Sequence, residues 1–285
     1  MSGMTLDRRM LLRAAVGGAV AGAYEIIASP AKAGGRPPRR TIYVAGDSTA
    51  ATYATADVPR AGWGQALPVF LRPEIAVVNG ALSGASSKSF ADLGRLDLIL
   101  AAIRPGDVLL VSFGHNDEKS EDPARYTTPY GTFQEYLRRY LDGARSKRAH
   151  PVLVTPVERR RFTAGGVAYL SHGDYPDAMR ALATETDTPL IDLTALSFAL
   201  WGRLGPEATK EYFLWLDKGE SPNYPDGVSD NTHFQAHGAI EVARLVALHG
   251  CTLPGRDFVA LHDPSIPDDS LVWPACGLGF GRASH

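Results

Sequence analysis

Five short runs of apolar residues punctuate the chain at 41–45, 74–78, 107–113, 151–154 and 189–191, and each runs into a small or polar residue. They are continuous rather than alternating, the pattern of strands covered on both faces. The segments between them change period. Phe133, Tyr136, Leu137, Tyr140, Leu141 and Ala144 fall at i, i+3, i+4, i+7, i+8 and i+11, one apolar stripe on a helix. Weaker stripes cover 92–103 and 176–186, and a last helix is expected from about 235 to 249. Strands that alternate with helices predict a parallel sheet with helices on both faces, because parallel neighbours need a crossover. The expected fold class is α/β, a three-layer α/β/α arrangement around a five-stranded parallel sheet.

The first 33 residues follow a different rule. Arg8-Arg9 and Arg13 precede a small, apolar stretch from 14 to 28, too short for a comfortable membrane span, and Ala31-Lys32-Ala33 offers a small-x-small cleavage site. Paired arginines before two leucines look like a twin-arginine export signal, against the alternative of an amphipathic N-terminal helix interrupted by Glu25. The expectation is a leader over 1–33, a single domain over 34–285 with the tail 254–285 unassigned, export to the periplasm or medium, and no stable membrane anchor.

Composition narrows the partners. Of 285 residues 45% are hydrophobic, and 29 Lys+Arg against 31 Asp+Glu leave a net charge of −2. No global field draws such a chain to nucleic acid. Cys251 and Cys276 either pair in an oxidising compartment or stay as buried thiols. The 29 Gly and 20 Pro point to many ordered loops, where function tends to sit.

In sheets of this kind ligands bind beyond the carboxyl ends of the strands. The first strand runs into Gly46-Asp47-Ser48-Thr49, the second into Asn79-Gly80-Ala81-Leu82-Ser83-Gly84, and the third into Gly114-His115-Asn116-Asp117, while Asp230-Asn231-Thr232-His233 precedes the last helix. Each loop alone has a plain structural reading as a turn.

Together, Ser48, Gly84, Asn116 and His233 resemble the four blocks of the SGNH, or GDSL-type, hydrolase superfamily, in the family's order. Gly62-Trp63-Gly64-Gln65 and Thr155-Pro156-Val157-Glu158-Arg159-Arg160 extend the likeness to its rhamnogalacturonan acetylesterase branch over about residues 40–250. The resemblance implies a flavodoxin-like fold and a serine esterase without cofactor or metal that removes acetyl groups from a pectic polysaccharide. A serine hydroxyl is a weak nucleophile and needs a base. His233 is expected to take the Ser48 proton, Asp230 to fix the imidazole tautomer, and the backbone N–H groups of Ser48 and Gly84 with the Asn116 amide to hold the oxyanion. Ala85 stands where many members have arginine.

Other readings stand beside this one. His233 and His237 are four residues apart, a spacing that can bind zinc on a helix, but no acid lies between them and a capping or solvated His237 is the plainer reading. His115 is expected to shape its loop. Arg159, in the run Arg159-Arg160-Arg161, is a candidate for a uronate carboxylate, His172 for the substrate cleft and Trp63 for a sugar face. The alternatives in function are an esterase for another acylated carbohydrate or lipid ester, and a non-catalytic glycan-binding protein of the same fold. Oligomeric state is left open.

Overall fold

The computed structural model describes residues 40–250 and 267–274. The expected leader and both cysteines lie outside the described residues. In chain order the strands are β1 (Arg40–Gly46), β2 (Arg60–Ala61), β3 (Ile75–Asn79), β4 (Val108–Ser112), β5 (His150–Val154), β6 (Leu190–Ile191), β7 (Phe213–Leu216) and β8 (Val228–Gln235). The five apolar runs of the sequence are β1, β3, β4, β5 and β6, and they form one parallel sheet in the order β3-β1-β4-β5-β6. Counted among themselves this is 2-1-3-4-5, the flavodoxin-like order. Tyr43 of β1 stands opposite Val78 of β3 on one side and Leu109 of β4 on the other.

The pleat sends alternate β1 residues to opposite cores. Ile42 and Val44 join one apolar cluster, Tyr43 and Ala45 the other. The first face is covered by α1 (Trp63–Ala66), α6 (Leu193–Ala208) and α7 (Ala236–Gly250); the second by α2 (Ser87–Asp92), α3 (Arg95–Ala102), α4 (Gln134–Ser146) and α5 (Tyr175–Glu185). The stripe of α4 buries Leu137, Tyr140, Leu141 and Ala144 as the spacing requires.

Three elements depart from expectation. The helix expected over 92–103 starts only at Arg95: α2 ends at Asp92, and Gly94 takes the left-handed conformation (φ 73°) and turns the chain between α2 and α3. Helix α6 lies outside the elements expected from the sequence; Asp192 caps it by accepting from the Ala195 N–H at 3.2 Å. A second, antiparallel sheet of order β2-β8-β7 also stands beside the main one. Its β8 reads Val-Ser-Asp-Asn-Thr-His-Phe-Gln, a mostly polar run with no alternation for a sequence reading to detect. Among the described residues no helix is long and apolar enough to cross a membrane.

Candidate active site

After β1 the chain passes to β3 on one flank and later to β4 on the other, so a crevice opens at the carboxyl end of β1. The turn that fills it is built by Asp47. One carboxylate oxygen accepts from the Thr49 N–H and hydroxyl, both at 2.8 Å, and the other from His115 Nδ1 at 3.1 Å. Burial pushes the His115 imidazolium down to about 4, against the pull of Asp47. A neutral His115 therefore carries its proton on Nδ1 and donates it to Asp47. Tyr53 fixes the next residue from below, its hydroxyl donating to the Ser48 carbonyl at 2.7 Å. The Ser48 side chain is left to face the crevice, and its Oγ lies 2.9 Å from His233 Nε2.

His233 reaches that position through a break in the second sheet. Trp215 pairs with Ser229 and Phe213 with Phe234, so the single residue Leu214 opposes the four residues from Asp230 to His233. The surplus bulges out of the sheet. Within the bulge Asp230 Oδ1 accepts the N–H groups of Thr232 (2.7 Å) and His233 (3.0 Å), while Oδ2 faces His233 Nδ1 at 2.7 Å. Burial would raise the Asp230 carboxyl, but the hydrogen bond and charge of His233, with those two N–H donors, hold it down at about 2. Arg160 pins the bulge from behind: its backbone N–H donates to the Asn231 carbonyl (2.9 Å) and its Nη1 to Asn231 Oδ1 (3.0 Å), an oxygen that also accepts from Trp215 Nε1 (3.0 Å).

The other two loops close the crevice. Gly84, at φ 81°, holds a left-handed turn that a side chain would strain. Asn116 is buried and spends one of its two amide hydrogens on the Ala85 carbonyl at 2.9 Å; the second has no partner among the described residues and can serve a ligand. Ser86 caps α2 by accepting from Ser89 N at 3.0 Å, and Asp117 receives the Ser87 N–H (3.1 Å), its hydroxyl (2.5 Å) and the Thr127 hydroxyl (3.1 Å). Burial raises the Asp117 carboxyl to about 7 in spite of these donors.

Ser48, Gly84, Asn116 and His233 share a cleft of about 260 Å³ with Arg60, Ser83, His115, Lys119, Arg159 and Thr232, and no aliphatic or aromatic carbocyclic side chain lines it. Asp230 stands behind His233. The structure thus brings together the residues singled out from the four blocks, and it adds Arg60 and Lys119, which no motif in the sequence marked.

Two candidate substrate contacts are corrected. Trp63 is fully buried in the core, and its backbone N–H ties α1 to the nucleophile turn by donating to the Thr49 carbonyl at 2.9 Å; its ring cannot meet a sugar. His172 is also buried, with Nε2 2.9 Å from the Val157 carbonyl, Nδ1 3.2 Å from Arg159 and its ring 4.4 Å from that of His115, so it packs behind the cleft instead of lining it. Arg159 does line the cleft, but its guanidinium is paired with Glu118. His237 lies beyond the strand end on α7, its Nδ1 3.3 Å from Asp268, so it does not share a helix face with His233. Among the described residues no group of three His, Cys, Asp or Glu is placed to hold a metal.

Comparison with known proteins gives a consistent picture. A model of the GDSL-like lipase/acylhydrolase family matches residues 44–239. The rhamnogalacturonan acetylesterase RhgT of Bacillus subtilis is 49% identical over 206 residues, 72% of this chain and 87% of that protein. The probable rhamnogalacturonan acetylesterase YesY of the same organism is 44% identical over 72% of this chain and 90% of its own length. Among solved structures, protein YxiM of Bacillus subtilis superposes with a TM-score of 0.62 at 33% identity, covering 75% of this chain, which spans 57% of that larger one.

Proposed function

This chain belongs to the GDSL-like lipase/acylhydrolase family, and from that premise we propose that it is a carboxylic ester hydrolase that removes acetyl groups from rhamnogalacturonan through a Ser48 acyl-enzyme. The substrate follows its relatives of 49% and 44% identity. The observation that carries the mechanism is the unbroken line Ser48 Oγ to His233 Nε2 (2.9 Å) and His233 Nδ1 to Asp230 Oδ2 (2.7 Å), opening on a cleft.

In the proposed reaction His233 takes the Ser48 proton as Oγ bonds to the acetyl carbon, and the carbonyl electrons move onto oxygen. That oxyanion meets the N–H groups of Ser48 and Gly84 and the spare Asn116 amide hydrogen. Its collapse breaks the bond to the sugar oxygen, which leaves with the proton from His233. Water then repeats the sequence on acetyl-Ser48, giving acetate and free Ser48. Asp230, held near 2, stays ionised throughout and stabilises the imidazolium.

A lipid ester fits less well. A long acyl chain needs an apolar pocket, and the cleft of about 260 Å³ is polar and cationic. Acetate release from acetylated rhamnogalacturonan by the wild-type chain and by Ser48→Ala tests the proposal: rapid release from the first alone is expected. Equal release from both would remove the Ser48 mechanism, and equal rates on acetylated xylan and long-chain esters would remove the substrate. A binding-only protein of this fold would release none.

We further read residues 1–33 as a twin-arginine leader and 34–285 as one hydrolase domain. The support is Arg8-Arg9 ahead of a short apolar stretch and the Ala31-Lys32-Ala33 site. Replacement of Arg8 and Arg9 by lysine is expected to leave the protein in the cytoplasm of a bacterial host; unchanged export would refute the leader.

A further inference from the structure

Residues 55–60 carry the chain from the nucleophile turn into β2 without burying a single residue. A segment with so little apolar anchorage takes its place from hydrogen bonds made by its neighbours. On one side they come from Asn223, whose Nδ2 donates to the Thr55 and Val58 carbonyls at 3.2 and 2.9 Å. On the other side they come from the C-terminal tail.

Residues 267–274 open on a single 3₁₀ turn, Asp268–Ser270, at the head of α7, where Asp268 lies 3.3 Å from His237 Nδ1. Leu271 is then buried in the core of the first face, and Trp273 packs against the same cluster. Three hydrogen bonds hold the end of the segment. The Val272 carbonyl accepts from Gln65 Nε2 (3.0 Å), Trp273 Nε1 donates to the Arg60 carbonyl (3.0 Å), and the Pro274 carbonyl accepts the Thr55 N–H (3.1 Å). The tail thus ties together α1, β2 and the turn Thr55–Asp57. The family match ends at residue 239, so this clasp stands outside it.

Two of these ties lead to the nucleophile. Gln65 also holds Tyr53, its Oε1 accepting the Tyr53 N–H at 3.1 Å and its Nε2 lying 3.5 Å from the Tyr53 carbonyl. Arg60, whose carbonyl Trp273 holds, lays its guanidinium 4.4 Å from the centre of the Tyr53 ring. The Tyr53 hydroxyl in turn donates to the Ser48 carbonyl at 2.7 Å. Burial pushes that phenol up to about 12, so it remains a donor at any ordinary pH. A displaced Tyr53 would tilt the peptide plane that follows Ser48 and carry the Ser48 side chain out of line with His233.

We propose that residues 271–274 are a positioning segment for the reaction: through Gln65 and Arg60, the tail holds Tyr53 against the Ser48 carbonyl and so sets the rate of acyl transfer from outside the cleft. This rests on the esterase reading of the site. None of residues 267–274 lines the cleft, so the contribution belongs to kcat and not to KM.

The test uses a small acetyl ester and a fluorophosphonate probe. The chain ended after residue 266 is expected to lose about ten- to hundredfold in kcat and in the rate of labelling at Ser48, with KM within about twofold of wild type. Trp273→Phe and Gln65→Met keep most of the side-chain bulk and remove its hydrogen bonds; each should lose about two- to tenfold in kcat, and they decide the matter should the truncated chain not fold. Tyr53→Phe should lose at least as much, and Trp273→Phe added to it little more, because both break the same line. Leu141→Ala, in the core of the opposite face, is the control: it should lower Tm and leave kcat of the folded protein unchanged. Wild-type kcat in both Trp273→Phe and Gln65→Met overturns the proposal. So does a Tyr53→Phe, Trp273→Phe loss equal to the product of the single losses, or a kcat loss in Leu141→Ala that matches the tail variants at equal Tm. Absence of Ser48-dependent turnover in wild type would instead overturn the esterase reading. Amide hydrogen exchange would then decide the role of the tail: the Tyr53 N–H should exchange about tenfold faster in Trp273→Phe than in wild type, and an unchanged rate refutes the positioning.

Discussion

The His233 imidazole and the Ser48 hydroxyl, 185 residues apart in the chain, meet at 2.9 Å because two unrelated local devices face each other. One is the Asp47-held turn after β1, the other the four-residue bulge of β8. The base is oriented by Asp230 from within the same bulge, so base and orienter move as one unit.

Ser48→Ala is expected to lower kcat on an acetyl ester on the order of 10⁴- to 10⁶-fold with little change in Tm. Asp230→Asn should cost on the order of 10³- to 10⁴-fold, since it offers the imidazole the wrong tautomer. Steady-state acetate release gives both values, and a fluorophosphonate probe should label wild type at Ser48 alone. Labelling at any other serine would refute the assigned nucleophile.

Asn116→Ala removes one oxyanion donor and should cost about 10²- to 10³-fold in kcat, or roughly 3–4 kcal/mol. KM for a small ester should move less than kcat, because the donor is aimed at charge that develops only on attack. The same change frees the Ala85 carbonyl, so Tm should be measured alongside. A loss confined to KM would remove Asn116 from the oxyanion site.

Arg160 is a positioning residue, since it touches Asn231 and not the cleft. Its guanidinium also receives support from the Thr209 hydroxyl (3.1 Å) and lies 4.6 Å from the Trp215 ring. Arg160→Met should therefore slow both acetyl transfer and fluorophosphonate labelling by roughly tenfold to hundredfold, through misplacement of the bulge, with KM nearly constant. A fall in Tm with normal labelling in the folded fraction would reduce Arg160 to a stabilising role.

Asp117 couples stability to pH. Its folded carboxyl is raised from 3.8 to about 7 by burial, so between those values the unfolded chain releases a proton that the folded one keeps. The stability tied to that proton is complete below about pH 4 and is lost as pH rises toward 7, at up to about 1.4 kcal/mol per pH unit. Asp117→Asn lacks this titration. The stability gap between wild type and variant, read from urea unfolding, should shift in the variant's favour from pH 4 to pH 7; a gap independent of pH would show that Asp117 does not titrate there.

Much of this architecture was written in periodicity and motif. The five parallel strands are legible because each is a continuous apolar run, and the three loops after β1, β3 and β4 are legible because glycine and polar residues follow those runs directly. The second sheet was hidden, since β8 is polar to serve the cleft and only its pairing with β7 and β2 makes it a strand. Arg60 was hidden for a related reason: a lone arginine in a two-residue strand carries no pattern, and its meaning comes from Tyr53 beneath it.

Trp63 shows the opposite error, a residue whose chemistry suggested a ligand and whose position refutes it. The sequence Gly62-Trp63-Gly64 places a large ring between two glycines, as an exposed platform also would. Here both glycines are needed because the backbone of residues 50 and 51 passes so near that a Cβ on Gly62 would lie 2.3 Å from the Ala51 carbonyl oxygen, and one on Gly64 2.5 Å from that of Ala50. The ring is consequently driven into the core. Trp63→Ala is expected to cost about 3–5 kcal/mol by leaving a cavity, and Trp63→Phe less, with kcat and KM of the folded Phe variant near wild type. Thermal unfolding followed by kinetics on acetylated rhamnogalacturonan separates the two roles: a Trp63→Phe protein of normal Tm with a tenfold higher KM would return Trp63 to the sugar-binding surface.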